Sequence, residues 1–290
     1  SITRPEHAGF VDQAQVVFID EVAQVLRFIE AERHCRTKAA TNAQVMAKLR
    51  KIEAQARVVV VADAGVDQRT IEFLEGCRPG ERFRIIEVAD PLSNGIEATY
   101  TFGASATTAV VGAALAEIEA GGNVWLAVEG KDRAKALGRF FEAQGVEALV
   151  ITADNKGNAR QAAFLASPEA ESRKYRIVIA SPVIGSGLSI EHGDGEHFTL
   201  GAFIGGGSRL TPADAAQMLR RVRYLRRFVL GLLSNTTVGA QDPDAIIASW
   251  EIAARIEGQA VTATDFDRLV AGIRADEQNA RADFAAGLLW

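Results

Sequence analysis

The chain has 290 residues with a formal net charge of -5, 48% hydrophobic and 24% charged residues, and only 7 prolines. That composition excludes a disordered or collagen-like polymer, and the length favours about two domains over one. The acidic balance gives no global attraction to nucleic acid or anionic lipid, so any such contact must be local.

The longest uncharged stretch, residues 98–116, is interrupted by Thr, Ser and Gly and is too polar for a membrane span. Residues 1–10 carry no apolar core of a secretory signal, which makes a cytoplasmic setting the expectation. The cysteines, Cys35 and Cys77, form neither a CxxC pair nor a disulfide framework. Because the chain opens on Ser1 and its first clear element is a strand closed by acid, a fragment of a longer protein is expected.

In chain order, Gln15 to Ile19 is a β-rich apolar run closed by Asp20-Glu21, and Val22, Val25, Leu26 and Ile29 follow at helical spacing. Val45, Leu49 and Ile52 mark a second helix, and residues 57–64 repeat the apolar strand closed by acid. A helix is expected over 67–75, strands at 84–88 and 97–102, and a helix over 104–120 ended by Gly121-Gly122. A second alternation follows. It has strands at 123–128, 148–152, 175–180 and 198–204, with helices after the Glu129-Gly130-Lys131-Asp132 loop and near 158–165.

Thr211-Pro212-Ala213-Asp214 supplies an N-cap, Pro at the first helical position and acid two residues later, for a helix running into Arg223 and extended by Arg226 and Arg227. After Asn235 the pattern is helical only, through Ile246, Trp250, Ala253 and Ile256, then Phe266, Leu269, Val270 and Ile273. The expected fold is α/β, with parallel sheets covered by helices on both faces and a helical C-terminal tail. The expected domains are 1–121, 122–235 and 236–290.

Three strings can carry chemistry. Asp20 and Glu21 stand at the carboxyl end of a strand, where open α/β sheets bind ligands. There an Asp can hold hydrated Mg2+ while a neighbouring Glu orients or deprotonates water. Acid at a helix N-terminus is also favoured simply by the helix dipole.

Residues 180–190 (ASPVIGSGLSI) follow another strand. Small residues let amides approach an anion, and Ser181 and Ser189 can bond phosphate or ribose oxygens; a Gly-rich turn reads the same way. In QMLRRVR, Gln217 and Arg221 are spaced i and i+4 on the expected helix, and Arg221 can neutralise phosphate charge. Arg223 points elsewhere, and a solvated basic face remains the alternative.

Together and in this order the strings resemble motifs II, V and VI of helicases with two RecA-like domains. The Asp20-to-Leu26 wording (DEVAQVL) and the SPxxGxGLS string are most similar to the origin-binding replication helicases of plasmids and some DNA viruses. Residues 58–64 resemble motif III and residues 124–141 motif IV.

The resemblance implies the motor of an ATP-dependent DNA helicase acting in plasmid or phage-type replication initiation, its first RecA-like domain partial. It implies ATP and Mg2+ as cofactors, with Asp20 at the metal and Asp20, Glu21 and Arg221 catalytic. Gln217, Gly187, Ser189 and Arg223 would bind nucleotide, and Lys131, Asn155 and Ser181 would bind single-stranded or origin DNA. The alternative is a non-catalytic helicase-like scaffold or binding module.

The chain departs from the pattern at four places. No GxxxxGK[ST] occurs in it, so the phosphate-cradling P-loop is expected in an upstream region of the same chain. Ser189 stands where many relatives have Asp, Arg220 replaces the usual Gly, and Arg223 falls one position early. The string His192 to His197 holds four ligand-type side chains without a standard metal spacing, and Trp125 and Trp250 are expected in the core.

Overall fold

The computed structural model describes residues 2, 9–31, 41–63, 65–87, 95–182, 188–192, 197–235, 239–260 and 262–289. The chain divides into two compact units, Ser1–Val88 with Ala240–Glu277 and Ala89–Gly239 with Gln278–Trp290.

In the first unit, β1 (Val16–Asp20) and β2 (Val58–Ala62) pair in parallel, Val16 opposite Val58 and Asp20 opposite Ala62. Their inward residues Val17, Ile19, Val59 and Val61 pack on α1 (Val22–Glu30), α2 (Asn42–Gln55) and α3 (Gln68–Cys77). Side chains cap two of these helices. Thr41 and Gln44 form a capping box at α2, and Asp67 accepts the Thr70 amide at α3.

Helices α9 (Pro243–Ile256) and α10 (Asp265–Ala282) begin in this unit, Leu269 and Ile273 joining its core. Ile246 and Ile247 face inward, but Ile256 is 81% exposed, so the apolar period of α9 stops short of its end.

The second unit holds a six-stranded sheet in the order β3-β8-β7-β4-β6-β5, every pair parallel. These are β3 (Glu97–Phe102), β4 (Val124–Val128), β5 (Ala148–Ile151), β6 (Ile177–Ala180), β7 (Leu200–Gly205) and β8 (Arg227–Leu232). All residues of β4, β6 and β7 are buried, as expected of parallel strands with helices on both faces.

On one face Val124, Leu126 and Val128 meet α4 (Ala106–Glu119) and α5 (Lys131–Ala143). On the other, Trp125 and Ala127 meet Phe164 of α6 (Ala159–Ala166), α8 (Pro212–Leu219) and α11 (Phe284–Leu288), with short α7 (Pro168–Ser172) following α6. Trp125 is a core residue whose indole N–H donates to Met218 O at 2.9 Å.

The structure differs from the sequence expectations at several places. Residues 84–87 form no strand, and Ile85 and Ile86 are about three-quarters exposed. The division falls near residue 88 rather than at Gly121-Gly122, because β3 pairs along its whole length with β8. The tail is no separate domain; 240–277 belongs to the first unit and 278–290 to the second, where Phe284 stacks on Phe203.

Arg226 and Arg227 do not extend a helix. Arg227 opens β8 and pairs with Glu117 at 3.2 Å. Finally, among the described residues the first sheet is covered on one face only. Val16, Phe18, Val58 and Val60 of its outer face are 58%, 64%, 39% and 44% exposed.

Glu53 of α2 is fully buried beside Cys77 in the first unit. Burial pushes its carboxyl up to about 7, opposed by Cys77, Arg50 and Arg78, while burial and then the Glu53 charge push the Cys77 thiol up to about 12. A raised carboxyl favours the folded state in its protonated form, so this contribution is full below pH 4.5 and lost as pH rises through 7. Glu53→Gln is therefore expected to stabilise the first unit at pH 8 by about 3 kcal/mol and to have little effect at pH 4.5, read by urea unfolding at both pH values.

Candidate functional site

In the first unit, Asp20 ends β1 and Glu21 joins it to α1. Glu21 is the one non-glycine residue with positive φ (53°) among the described residues, a strained junction for a side chain-bearing residue. Asp20 Oδ1 accepts the Glu21 amide at 3.1 Å.

The parallel register sets the end of β2 beside this junction. There Asp63 Oδ2 accepts Ala23 N at 2.9 Å and Oδ1 accepts Gly65 N at 2.9 Å. Asp63, which the sequence reading saw only as the acid closing a strand, thus supplies the cap that Glu21 does not; no side-chain cap bond comes from Glu21. The exposed Asp20 carboxylate has a chemistry suited to a hydrated Mg2+ ion. No group of three or more metal-ligand side chains occurs among the described residues.

In the second unit, α8 ends at Leu219 with Arg220 as its C-cap, so Gln217 lies on the helix but Arg221 and Arg223 do not. The i, i+4 argument for Gln217 and Arg221 fails because Val222 leaves the helix to form an isolated parallel bridge with Ile190. Ile190 N donates to Arg221 O at 2.8 Å and Arg223 N to Ile190 O at 3.1 Å.

Around this bridge Arg221 Nη1 donates to Leu188 O at 3.3 Å, and Arg223 Nε to Ser189 Oγ at 3.0 Å. Ser189 Oγ in turn donates to Glu191 Oε1 at 3.0 Å. The structure therefore brings Ser189, Arg221 and Arg223 together, with Arg221 half-buried and Arg223 exposed. Gly187 lies outside the described residues.

The three residues expected at nucleic acid are unlike one another. Lys131 opens α5 and reaches Asp154 at 3.0 Å on the surface, and Lys135 binds the same carboxylate. These two ammonium groups hold the Asp154 carboxyl below its usual range. Asn155 instead builds its own turn, its Oδ1 accepting Thr152 N at 2.7 Å and its Nδ2 donating to Val150 O at 2.9 Å. Ser181 follows β6 and is only 3% exposed.

His192 and His197 are buried with rings 5.3 Å apart, His192 Nε2 lying 2.7 Å from Ser172 Oγ; residues 193–196 between them lie outside the described set. Burial lowers the His197 pKa, with His192 adding to the effect.

Glu129, at the end of β4, has a role that sequence reasoning missed. Its buried carboxylate accepts three backbone amides, Gly206 at 2.8 Å, Arg209 at 2.7 Å and Leu210 at 3.1 Å. This holds the Gly-rich loop after β7, where Gly207 adopts φ +80° and a Cβ would stand 2.6 Å from Arg281 O. The available signal was an acid directly after a wholly apolar strand. Glu129→Ala is expected to destabilise the second unit by about 3 kcal/mol or more, since charge-assisted bonds to three amides are lost at once. Hydrogen exchange should quicken at Gly206, Arg209 and Leu210.

No protein-family model matches the sequence, and no curated protein matches it. Solved structures do resemble the fold. The DEAD-box helicase Mss116 bound to ssRNA and UDP-BeF superposes with a TM-score of 0.55 at 12% identity, over 96% of this chain and 54% of that one. S. cerevisiae Dbp5 bound to RNA and ADP BeF3 gives 0.51 at 13% identity, over 90% of this chain and 64% of that one.

The chain thus has the mixed α/β fold of RecA-like helicase domains, and it spans less than two thirds of the length of these helicases. The similarity is to DEAD-box RNA helicases rather than to the plasmid or viral origin-binding type that the motif wording resembles. No helix among the described residues is long and apolar enough to cross a membrane.

Proposed function

We propose that the chain is the motor part of an ATP-dependent helicase or translocase working on single-stranded nucleic acid. The observation that carries this reading is the clasp around Ile190 and Val222, which joins the strings resembling motifs V and VI through Ser189–Arg223 and Leu188–Arg221. Two strings whose bonded residues are 33 and 34 positions apart meet with hydroxyl and guanidinium groups side by side, a donor set suited to phosphate and ribose oxygens.

Asp20 would hold Mg2+ and Glu21 would take the proton of the attacking water. Arg221 would neutralise charge that builds on the phosphate, with Gln217, Gly187, Ser189 and Arg223 as further nucleotide contacts. ATP supplies the anhydride whose cleavage powers movement. Lys131, Asn155 and Ser181 stand after strands of the second unit and would meet the nucleic-acid backbone; for Asn155, whose side chain is engaged, and Ser181, which is buried, the role falls to the backbone of their loops.

The open outer face of β1 and β2 supports a further α/β layer in the first unit. A parallel pair is stable only when more strands and a second covering layer bury it. In this reading that layer carries the GxxxxGK[ST] loop which these 290 residues lack. The same lack favours the second reading, a helicase-like binding module without turnover. DNA, and a role in plasmid or phage-type replication initiation, rest on the resemblance of residues 20–26 and 181–189 to the origin-binding helicases.

The protein expressed from its complete coding sequence is expected to show ATPase activity stimulated by oligo-dT more than by oligo-U. Lys131→Ala should weaken binding similarly across sequences and reduce the salt slope by about one. Absence of any stimulation favours the binding module, stronger stimulation by oligo-U removes the DNA reading, and an unchanged slope places the strand elsewhere.

A further inference from the structure

The helices of the first unit leave between them a cavity that the proposed motor chemistry does not use. It measures about 660 Å³, within the size range of small-molecule sites, and lies between the end of α1, the first turn of α2, α9 and the first half of α10. Every residue lining it belongs to this unit. Because α1 has nine residues, Glu30 at its end stands about 13 Å along the helix from the Asp20-Glu21 junction.

The walls offer a planar surface and one open amide. Trp250 of α9, half-buried on Ile246, Ile247, Ala271 and Ala275, carries the Arg274 guanidinium over its ring, 5.3 Å from the centroid. Glu30 holds Arg274 Nε, so two partners fix the guanidinium while its side chain remains 43% exposed. A planar cation of this kind stacks on heteroaromatic rings.

Asn42, only 9% exposed, lines the same cavity. Its Nδ2 donates to Glu30 O at 3.2 Å, and since a carbonyl only accepts, this bond sets which way the amide is turned. Asn42 Oδ1 makes no hydrogen bond among the described residues, and Nδ2 keeps its second hydrogen.

The charges around the cavity are already met. Glu30 is paired with Arg274, and Asp267 accepts the Thr264 amide at 2.8 Å and the Thr264 hydroxyl at 2.6 Å. Both helix starts there are capped by side chains, Thr41 with Gln44 at α2 and Thr264 with Asp267 at α10, which disfavours a phosphate. A neutral plane with a hydrogen-bonding edge fits instead.

We propose that this cavity binds an adenine base, stacked on the Arg274 guanidinium with its amino edge on Asn42. Adenine presents an amino donor beside a ring-nitrogen acceptor, the complement of Asn42 Oδ1 and the remaining N–H. A free nucleoside and a base of a nucleic-acid strand share this chemistry.

The test is calorimetric titration of the 290-residue chain with adenosine, which carries no phosphate, and with purine riboside, which lacks the amino group. Wild type is expected to bind adenosine about tenfold more tightly than purine riboside, which leaves Asn42 Oδ1 unpaired. Arg274→Ala should weaken both ligands about tenfold, and Asn42→Leu should weaken adenosine about tenfold and erase the preference for it. Ala43→Trp, at an exposed lining position on α2, should cover the cavity and abolish uptake at an unchanged unfolding temperature.

Displacement of adenosine by oligo-dA would identify a strand as the source of the base, and retention in its presence a free nucleoside. No uptake of adenosine by wild type, equal affinity for purine riboside, or unchanged affinity in Asn42→Leu and Ala43→Trp overturns the site. Loss of adenosine binding in Arg221→Ala would move the nucleoside to the Ser189–Arg223 clasp and also overturn it. No hydrolysis is measured, so the result stands apart from the motor reading.

Discussion

Glu21→Gln, made in the protein expressed from its complete coding sequence, is expected to lower the ATPase kcat by 10²- to 10⁴-fold, roughly the contribution of a positioned general base, and to leave the nucleotide Kd unchanged. Gln keeps the shape and hydrogen-bonding reach of the side chain but cannot accept the proton. The site supports the choice of residue. Glu21 keeps a left-handed backbone at φ 53° although Asp63, not Glu21, caps α1, so the strain is not repaid by a capping bond. Such strain costs about 1–3 kcal/mol and tends to persist where function requires it. Single-turnover kinetics with a nucleotide-binding titration decide the matter, and wild-type turnover in the variant would remove Glu21 from the chemistry.

Arg221→Ala is expected to reduce kcat by about 10³-fold or more, the range of a charge-neutralising arginine, with Arg223→Ala doing less. Arg221 lies beyond the end of α8 at Leu219, so its effect comes from preorganisation and not from a helix face. Arg221 is half-buried, its carbonyl accepts Ile190 N and its Nη1 holds Leu188 O, whereas Arg223 is exposed and among the described residues its side chain reaches Ser189. A cation fixed in advance needs less reorganisation as charge develops. Arg221→Lys keeps the charge but loses the planar fork, so it should not restore turnover. Steady-state kinetics in which Arg223 proves essential and Arg221 dispensable would reverse the assignment.

Much of the second unit was legible because its signals are local. The wholly apolar runs of β4, β6 and β7 announce burial on both faces, and Thr211-Pro212-Ala213-Asp214 announces the start of α8. The same holds for the acid closing β1. Of the candidate site, the sequence order of the strings could be read, but not which side chains meet. Ser189 and Arg223 are 34 residues apart and come together only through the Ile190–Val222 bridge.

The sequence by itself determined the alternation of strand and helix, the helix starts and the placing of Asp20, Glu129 and Ser181 after strands, since periodicity and capping act within a few residues. Tertiary structure decided where elements stop and what they join. The run from Met218 to Arg227 has no helix breaker, yet α8 ends at Leu219 because Val222, 2% exposed, gains more by bridging Ile190 and entering the core than by one more helical turn. Arg227 to Leu232 is a strand because β3 and β7 offer backbone partners on both sides, and that pairing carries residues 97–102 into the second unit. Hydrogen bonds and burial between segments far apart in the sequence leave no local periodic trace, which is why only the folded chain reveals them.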